Sequence, residues 1–281
     1  MRYGYKNLRR SWFFAVAQRE QKGMVRSLLG NALFYFREES VNMEDMIRYS
    51  VITEKNPREI VLLRGFGCAW KKCTFCDYHL DCSPDAAENF ALNRSVLSEV
   101  TGQYARLEVI NSGSFCDLDQ DTMHEIEQVC AQKGIRDLHF ECHWMHRKEI
   151  PALRARFAAL GIQTHIKIGV ETFDRAYRED ILHKGIGVSD PAVISELFDE
   201  CCLLFGLNGQ TAASMRHDVE TGLAYFDRVC INIMVENTTP IHPDPQVIAE
   251  FCREIAPLYQ DNPRVDILME NTDFGVGGSA Q

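Results

Sequence analysis

Short apolar runs alternate with longer amphipathic stretches from Arg58 to the end of the chain. Runs of this length that are rich in Val, Ile and Leu are typical of strands buried on both faces of a parallel sheet. Strands that alternate with helices predict right-handed crossovers between parallel strands. No Pro-, Gly- or Ser-rich break interrupts the pattern, so it predicts one α/β domain, a partial (β/α)6 TIM-like barrel with a short C-terminal extension. The runs are EIVLLR, LEVINS, DLHFEC, THIKIGVE, CLLFGL, RVCINIMVE and RVDILME.

Capping residues predict where the helices begin. Asn93 and Asp121 each precede an amphipathic stretch, and Gly134 follows the second of them, as N-caps and C-terminal glycines do. Asn42 before MEDMIRYS predicts a capped first helix of the domain. Three further starts are predicted, two of them with Pro in the first turn: Asp190–Pro191, Thr211 and Asp244–Pro245.

Polar side chains follow the predicted strands at their C-terminal ends, where the active sites of such barrels lie. Each residue alone could be a helix cap or a turn residue, but carboxylates and amides at several equivalent ends favour a shared site. They are Asn111, Ser112, Gly113 and Ser114 after the second run, Glu141, His143 and Trp144 after the third, Glu171 after the fourth, Glu236 and Asn237 after the sixth, and Glu270 and Asp273 after the last.

Three cysteines stand in the loop after the first run. Cys68, Cys73 and Cys76 form a C-x4-C-x2-C triplet within LLRGFGCAWKKCTFCDY. Three thiolates so close in sequence can converge on one metal centre, because soft sulfur ligands select iron-sulfur clusters, zinc or copper. Three ligands leave one position of a tetrahedral or cubane site open, and an open position is typical of a reactive metal centre.

A structural zinc site is the alternative, since His79 or Cys82 could supply the fourth ligand. Strong zinc signatures include a second pair of ligands further along the chain, and the remaining cysteines form no second C-x2-C. They lie mainly in apolar runs such as CCLLF, where a cysteine usually behaves as a small buried hydrophobe. The triplet therefore favours an iron-sulfur cluster over a zinc-binding interaction module.

The triplet, with the aromatic Phe75 before its last cysteine, resembles the cluster loop of the radical S-adenosylmethionine (SAM) enzymes. The commonest spacing in that superfamily is C-x3-C-x2-C, so this chain has one extra residue. The resemblance covers roughly Arg58 to Asp273 and implies a barrel of the radical SAM type. It implies that the three cysteines hold a 4Fe-4S cluster whose open iron chelates SAM, and that the chain is an enzyme which cleaves SAM to a 5′-deoxyadenosyl radical.

Other loops resemble SAM-binding segments of the same superfamily. NSGSF resembles a Gly-rich stretch that holds the SAM amino group, and GVETFDRAYRED resembles the segment that contacts the SAM ribose or methionine part. LLFGLNGQT resembles the GLPGQT segment of coproporphyrinogen dehydrogenases and methylthiotransferases. Lys167 shares a strand face with Glu171 by alternation, so we expect it to reach the same cavity. The SAM contacts thus implied are Phe75, Asn111, Ser112, Gly113, Ser114, Lys167 and Glu171.

The motifs KKCTFCDYHLD, INSGSF, GVETF and VDILMENTDFGVG together resemble the queuine lyase group of radical SAM enzymes. That resemblance implies a lyase that breaks a carbon-nitrogen bond of queuine and releases 7-aminomethyl-7-deazaguanine for queuosine precursor salvage. Carboxylates can accept the N–H groups of a guanine-like base, and a tryptophan can stack on its ring. The expected substrate contacts are Glu141, His143, Trp144, Glu236, Asn237, Glu270 and Asp273.

Charge is unevenly distributed along the 281 residues. The formal net charge is −10, but residues 1–42 hold eight Lys or Arg against three Glu, which leaves −15 on residues 43–281. Nucleic-acid binding depends on neutralising phosphates with Lys and Arg, so a small molecule is favoured over tRNA as the substrate. The alternative, a tRNA- or other base-modifying radical SAM enzyme, would need the basic segment for binding.

Residues 1–42 are predicted as a basic extension outside the fold, and residues 43–281 as the radical SAM catalytic domain. The extension could be a targeting or membrane-surface segment, a nucleic-acid arm, or the product of a start codon assigned too early. We favour the last interpretation, in which Met43 is the true start. Eleven cysteines, no signal peptide and no apolar run of membrane length favour a cytoplasmic protein. A flavodoxin or ferredoxin-type electron donor is expected as the partner.

Overall fold

The seven apolar runs form seven parallel strands of one sheet. The strands lie side by side in chain order, and an additional strand, β1 (Tyr49–Ile52), pairs antiparallel with the first of them. The sheet is curled and open, a half-barrel, in the computed structural model, which describes residues 46–278. The parallel strands are β2 (Arg58–Leu63), β3 (Arg106–Asn111), β4 (Asp137–Glu141), β5 (Gln163–Glu171), β6 (Glu200–Phe205), β7 (Arg228–Ile233) and β8 (Val265–Leu268).

Helices connect the successive parallel strands and give six β/α units, which confirms the predicted partial barrel. Short 3-10 or π-helical turns stand near the C-terminal ends of several strands: Tyr78–Leu80, Phe115–Asp117, Trp144–Glu149 and Tyr177–Ile181. The helices are α1 (Ala86–Ser98), α2 (Gln120–Lys133), α3 (Ile150–Ala158), α4 (Pro191–Ser195), α5 (Ala212–Tyr225) and α6 (Pro245–Glu250), which continues through a π-helical turn (Phe251–Ile255) into α7 (Ala256–Tyr259). Across the described part of the chain, no helix is long and apolar enough to span a bilayer.

Most of the predicted helix starts are confirmed. Asp190, Thr211 and Asp244 are N-caps whose side chains accept backbone N–H groups of the first turn. The N-cap predicted at Asn93 is wrong, because α1 begins seven residues earlier, after Asp85. The carboxylate of Asp85 accepts two backbone N–H groups of the helix, so it supplies the cap that was assigned to Asn93.

Asn93 instead lies buried in the middle of α1 and joins the helix to the end of β2. Its Oδ1 accepts the N–H of Arg64 at 2.8 Å, and its Nδ2 donates to the carbonyl of Arg64 at 2.7 Å. The amide thus satisfies the backbone at the point where the chain leaves the sheet. α2 begins after Asp119 rather than Asp121, and Gly134 ends it in the left-handed conformation, as predicted.

The prediction of a helix over MEDMIRYS is wrong for the residues of this segment that the structure describes, Met46 onward. Residues from Met46 onward lead into β1, and Ile47 exchanges backbone hydrogen bonds with Gly277 and Gly278. Pairing with β2 and with the C-terminal segment satisfies this backbone, and such tertiary pairing overrides local helix propensity. The predicted N-cap Asn42 and the predicted extension, residues 1–42, lie outside the described residues.

A belt of charged side chains crosses the interior of the half-barrel at the N-terminal half of the strands. Glu108 accepts hydrogen bonds from Arg58 and Lys167, and Arg228 lies 3.3 Å from Glu108 and 2.6 Å from Glu200. Buried charges persist only when they are paired, and here cations and anions alternate. The belt consists of Arg58, Glu108, His139, Lys167, Glu200, Arg228 and Asp266, one from each parallel strand and all buried.

Asp218 on α5 provides a pH-dependent test of the fold. Its buried carboxylate accepts the N–H of Phe173 at 2.8 Å, and burial raises its pKa from 3.8 to about 6. Because the folded pKa exceeds the unfolded pKa, this group contributes stability that is complete below pH 3.8 and is lost as the pH rises through about 6. Asp218→Asn removes this ionisation. We expect the change that it causes in the free energy of unfolding to be about 1 to 3 kcal/mol more stabilising at pH 8 than at pH 5.

Urea unfolding at the two pH values measures this difference. Asp227→Asn is the matched control, because Asp227 is exposed and its replacement should change stability equally at both pH values. An Asp218→Asn effect that is independent of pH would contradict the assignment.

Candidate active site

Cys68, Cys73 and Cys76 lie on the loop after β2, at the C-terminal edge of the half-barrel. All three thiols are partly buried and free of disulfide bonds. Burial raises the pKa of the Cys73 thiol and raises that of Cys76 to about 12, so both need a metal or a strong positive charge to become thiolates. The positive charge of the Lys184 ammonium lowers the pKa of both thiols and so favours the thiolates.

The three sulfurs are not spaced to bind one metal ion together. Ligands arranged tetrahedrally about 2.3 Å from a zinc ion lie about 3.8 Å from one another. Within residues 46–278 the three sulfurs do not all lie within 4.8 Å of one another. Each thiolate of a 4Fe-4S cluster binds a different iron, which requires a wider spacing. The separation of the three sulfurs therefore favours the cluster over a single zinc ion held by all three.

Residues 181–185, which we call the latch, hold the cluster loop in place. Thr74 donates twice to carbonyls of the latch, from its N–H at 3.2 Å and from its hydroxyl at 2.6 Å. Trp70 Nε1 donates to a third carbonyl of the latch at 2.8 Å. These contacts fix the path of the chain around the central cysteine of the triplet, because they hold both of its flanks.

Lys184 of the latch projects toward the cysteines and pairs with the end of β5. Its Nζ lies 2.7 Å from the carboxylate of Glu171 and 5.6 Å from the centroid of the Phe75 ring. Glu171 follows a β-bulge and has a φ of 68°, a left-handed value that is uncommon for a residue with a Cβ. Backbone strain of this kind clusters at functional sites. Sequence reasoning missed Lys184, whose only signal is the HKGIG turn after the fourth apolar run.

The loop after β3 packs directly on the cluster loop. A Cβ at Gly113 would lie 3.0 Å from the Cα of Cys68, so the close approach requires glycine. Asn111 donates from Nδ2 to the carbonyl of Ser114 at 3.1 Å. Its Oδ1 is buried and has no hydrogen-bond partner in the described structure. A buried acceptor without a partner marks a place where a ligand can donate.

Ser112 and Ser114 hold this loop to its neighbours. The Ser112 hydroxyl donates to the carbonyl of Asp81 at 2.7 Å, and Oγ of Ser114 accepts the N–H of His143 at 2.9 Å. Both serines are buried. The structure thus brings together the loops that were predicted to bind SAM, and the individual SAM contacts stay predictions.

Above the belt, the inner face of the sheet lines a cavity. On each of six strands one inward-facing residue is partly exposed, whereas the residues before and after it are buried against the helices. This alternation follows the two-residue period of a strand and shows that the interior is accessible at this level. The lining residues are Leu62, Ile110, Glu141, Gly169, Cys202 and Asn232.

Glu141 and Lys167 connect this cavity to the belt. The Glu141 carboxylate lies 3.3 Å from the Lys167 ammonium, and the Glu141 side chain is 31% exposed. Burial raises the pKa of the Glu141 carboxyl, although Lys167 acts in the opposite direction. Lys167 faces the interior as predicted, but it lies at the level of the belt, where it pairs with Glu108. Glu141 is therefore the carboxylate best placed to meet a substrate.

His143 and Trp144 contact protein groups beside the cavity. His143 Nε2 lies 2.8 Å from the carbonyl of Lys184, and its ring stacks on Trp70 with centroids 5.2 Å apart. Burial lowers the pKa of His143 to about 4, so its imidazole is neutral and supports the latch and the cluster loop. Trp144 stacks on Phe198 with centroids 6.0 Å apart. Their substrate contacts stay predictions.

The other predicted substrate residues lie at the rim. Glu236 is exposed and pairs with a neighbouring histidine at 2.6 Å. Asn237 donates to the carbonyl of Phe75 at 2.7 Å, so it supports the cluster loop. Asp273 accepts two backbone N–H groups of its own turn, including that of Glu270 at 3.0 Å. These contacts are structural, and substrate contacts by the four residues stay predictions.

Tyr78 was missed by sequence reasoning and begins the 3-10 turn after the cysteine triplet. The residue is 55% exposed. Desolvation, and then the charges of Cys76 and Glu141, raise the pKa of its phenol. The aromatic residue two positions after the last cysteine was its only signal in the sequence.

Gly185 of the latch and Gly187, just after the latch, provide a matched pair of glycine substitutions. A Cβ at Gly185 would overlap the ring of Trp70, whereas a Cβ at Gly187 meets nothing within 4 Å. Both glycines are left-handed, with φ of 71° and 74°, so alanine costs each about 1 kcal/mol of backbone strain. We expect Gly185→Ala to displace Trp70 and to lower the iron bound per chain by about half or more, measured after anaerobic reconstitution. Equal iron contents in Gly185→Ala and Gly187→Ala would contradict a role of the latch.

This chain has the site of a radical SAM enzyme. It combines a half-barrel, a three-cysteine loop at the C-terminal edge and an unpartnered acceptor beside that loop. No protein-family model matches the chain, and no curated protein matches it. Among solved structures, the queuine lyase from Clostridium spiroforme bound to SAM and queuine is 44% identical, with a TM-score of 0.79 over 83% of this chain and 100% of that one. The chain belongs to the queuine lyase family of radical SAM enzymes. SuiB from Streptococcus suis shares the fold at 11% identity, with a TM-score of 0.50 over 76% of this chain and 50% of that one.

Proposed function

We propose that this chain is a radical SAM lyase that cleaves a carbon-nitrogen bond of queuine and releases 7-aminomethyl-7-deazaguanine. The observation that carries the proposal is the 44% identity to a queuine lyase bound to SAM and queuine, over the whole of that protein. The substrate class and the reaction predicted from the sequence therefore stand.

The residues around the cluster loop fit the two cofactors of this class. Three thiols on one loop, free of disulfide bonds, are available as iron ligands. The unpartnered Oδ1 of Asn111 and the buried carboxylate of Glu171 can accept hydrogen bonds from the amino and hydroxyl groups of SAM. When bound, the cluster and SAM supply a 5′-deoxyadenosyl radical that removes a hydrogen atom from the substrate.

The chain's own task is to orient the base and to keep water away from the reacting atoms. Glu141 offers a carboxylate to the N–H groups of the base, and Lys167 holds that carboxylate from behind at 3.3 Å. Asn232 on β7 adds a partly exposed amide to the inner face of the sheet. Phe75 packs against the apolar cluster of Leu182, Leu204, Leu207 and Met234. Fixed orientation and exclusion of solvent let a reactive radical meet one chosen hydrogen.

The reaction needs one electron from outside the chain. A flavodoxin or ferredoxin-type protein is the proposed donor, and the proposed location is the cytoplasm. The three cysteines of the cluster loop form no disulfide bonds, which is the state that a reducing compartment maintains.

An anaerobic assay of the cluster-reconstituted protein tests the function. The protein is incubated with SAM, dithionite and queuine, and the products are identified by mass spectrometry. We expect both 5′-deoxyadenosine and 7-aminomethyl-7-deazaguanine. If 5′-deoxyadenosine forms without the base, the radical chemistry stands and the substrate is wrong. If neither forms from protein with a full cluster, the coupling of the cluster to SAM is refuted.

Replacement of Glu141 tests recognition of the base. A hydrogen bond to a charged group contributes about 1.5 to 3 kcal/mol, so we expect Glu141→Gln to raise the KM for queuine by about tenfold to a hundredfold. The matched control is Glu236→Gln, because Glu236 is exposed at the rim and engaged by a histidine. Steady-state release of the base at varied queuine concentration measures both. Equal KM values for Glu141→Gln and wild type would remove Glu141 from the site, and a raised KM in Glu236→Gln would place that residue in it.

A further inference from the structure

Two cysteines face each other on the wall of the cavity. Cys202 on β6 and Cys230 on β7 are register partners on neighbouring strands, and the Cys230 thiol acts on the Cys202 thiol. Cys202 is partly exposed to the cavity, whereas Cys230 is 3% exposed behind it. The proposed reaction leaves both thiols without a role so far.

The thiol pair lies below the cluster loop, at the level where a substrate would sit. Cys202 is in register with Gly169 of β5, two residues before Glu171 at the rim. The β-bulge places Glu171 in register with Leu203, the residue after Cys202, so with a strand rise of about 3.3 Å per residue Cys202 lies about 3 Å below Glu171 along the strand. The charge of Lys167 acts on Cys202, and Lys167 contacts Glu141 at 3.3 Å. The thiols therefore share one cavity wall with the group that would bind the base.

The proposed cleavage requires a hydrogen atom at its end. Queuine has only paired electrons, so removal of one hydrogen atom leaves a substrate radical. Homolytic cleavage of a carbon-nitrogen bond in that radical gives one closed-shell fragment and one fragment that keeps the unpaired electron. The radical fragment becomes a stable product when it gains one hydrogen atom. A thiol S–H bond is weaker than the N–H or C–H bond formed, so a thiol is a suitable donor.

We propose that Cys202 donates this hydrogen atom to the radical fragment, with Cys230 as its neighbour on β7. The proposal rests on the proposed function. The S–H bond of Cys202 breaks homolytically, a new bond to hydrogen forms on the fragment, and a thiyl radical remains on Cys202. One electron from the flavodoxin or ferredoxin-type donor and one proton from solvent restore the thiol.

The surroundings of Cys202 keep its sulfur protonated, as the donor step requires. The Cys230 thiol, and then burial, raise the pKa of the Cys202 thiol, and these effects outweigh the charge of Lys167. A protonated thiol is a hydrogen-atom donor, whereas a thiolate is a nucleophile and a metal ligand.

The neighbouring cysteine provides a matched control. Cys201 is adjacent in sequence but lies on the outer face of β6, where a Cβ at Gly222 of α5 would be 3.2 Å from its sulfur. Cys201→Ser and Cys202→Ser therefore make the same chemical change on opposite faces of one strand. Only the second change removes a thiol from the cavity.

Labelling without turnover tests the position of the thiol. Cluster-loaded protein with SAM but no reductant is treated with iodoacetamide, with and without queuine, and modified peptides are mapped by mass spectrometry. Because iodoacetamide reacts with the thiolate and Cys202 is held protonated, we expect slow but detectable alkylation at Cys202, slowed further by queuine, and none at Cys201. Alkylation of Cys202 that queuine does not slow would place the thiol outside the substrate cavity and overturn the proposal.

Turnover of the two variants tests the chemical role. We expect Cys202→Ser to keep forming 5′-deoxyadenosine while the base released per 5′-deoxyadenosine falls about tenfold or more, and freeze-quenched samples to accumulate an organic radical detectable by electron paramagnetic resonance. Cys201→Ser should match wild type in both respects. A Cys202→Ser variant with the wild-type product ratio and no accumulated radical would refute hydrogen donation by Cys202 and leave the proposed function intact. Wild-type protein that forms 5′-deoxyadenosine but releases no base would instead refute the proposed function, and the thiol proposal with it.

Discussion

Replacement of Cys73 by alanine will abolish cleavage of SAM. Cys73 is the central member of the triplet, and the latch holds both of its flanks through Trp70 and Thr74. Without its thiolate one iron of the cluster loses its protein ligand. We expect 5′-deoxyadenosine formation to fall by about a thousandfold or more, because the chemistry belongs to the cofactor and no protein group can replace it.

Iron and sulfide analysis should be carried out beside the product assay for this variant. Cys82→Ala is the matched control, since Cys82 follows the triplet closely in sequence but packs against Gly67. It should bind about four iron atoms per chain, as wild type should. Production of 5′-deoxyadenosine by Cys73→Ala, or its loss in Cys82→Ala, would contradict the ligand assignment.

Replacement of Glu108 by leucine will cause the largest loss of stability among the substitutions considered. The Glu108 carboxylate is 1% exposed and pairs with Arg58, Lys167 and Arg228. Its removal leaves three buried cations with too few anions, and breaking a buried ion pair on one side typically costs about 3 to 5 kcal/mol. We expect a loss of at least this size in the free energy of unfolding, measured by urea denaturation of the folded, cluster-free chain.

The surface pair between Arg253 and Glu254 serves as the control for this measurement. Its side chains are 66% and 43% exposed, so Glu254→Leu should change the free energy of unfolding by less than about 1 kcal/mol. A similar small effect of Glu108→Leu would show that the belt does not stabilise the half-barrel.

The architecture could be predicted from the sequence because each strand is an apolar run and each helix has a local start signal. Asp190, Thr211 and Asp244 cap helices within a few residues of their own position, so the signal and the structure coincide. Asn93 has the composition of an N-cap, but its partner is the backbone of Arg64, 29 residues away. Such a partner can be identified only when the sheet and the helix are placed together.

The cysteines of the site could be predicted from spacing, whereas the groups that surround them could not. Lys184 lies more than one hundred residues after the triplet, and its position beside Cys73 depends on the path of the chain after β5. The belt was missed for a similar reason. A single charged residue in an apolar run gives no information on its partner, and the pairing of Glu108 with Arg228 requires the register of five successive strands.

The latch also has a consequence for the biogenesis of the enzyme. Its contacts with Thr74 and Trp70 span 107 and 113 residues of sequence. At a synthesis rate of about 5 to 20 residues per second, the latch leaves the ribosome about 5 to 20 seconds after the cysteines do. During that interval the cysteines lack the segment that later holds their loop. Delivery of iron and sulfide is therefore expected to follow translation, so the yield of active enzyme should depend on the cluster-assembly capacity of the host more than on its rate of protein synthesis.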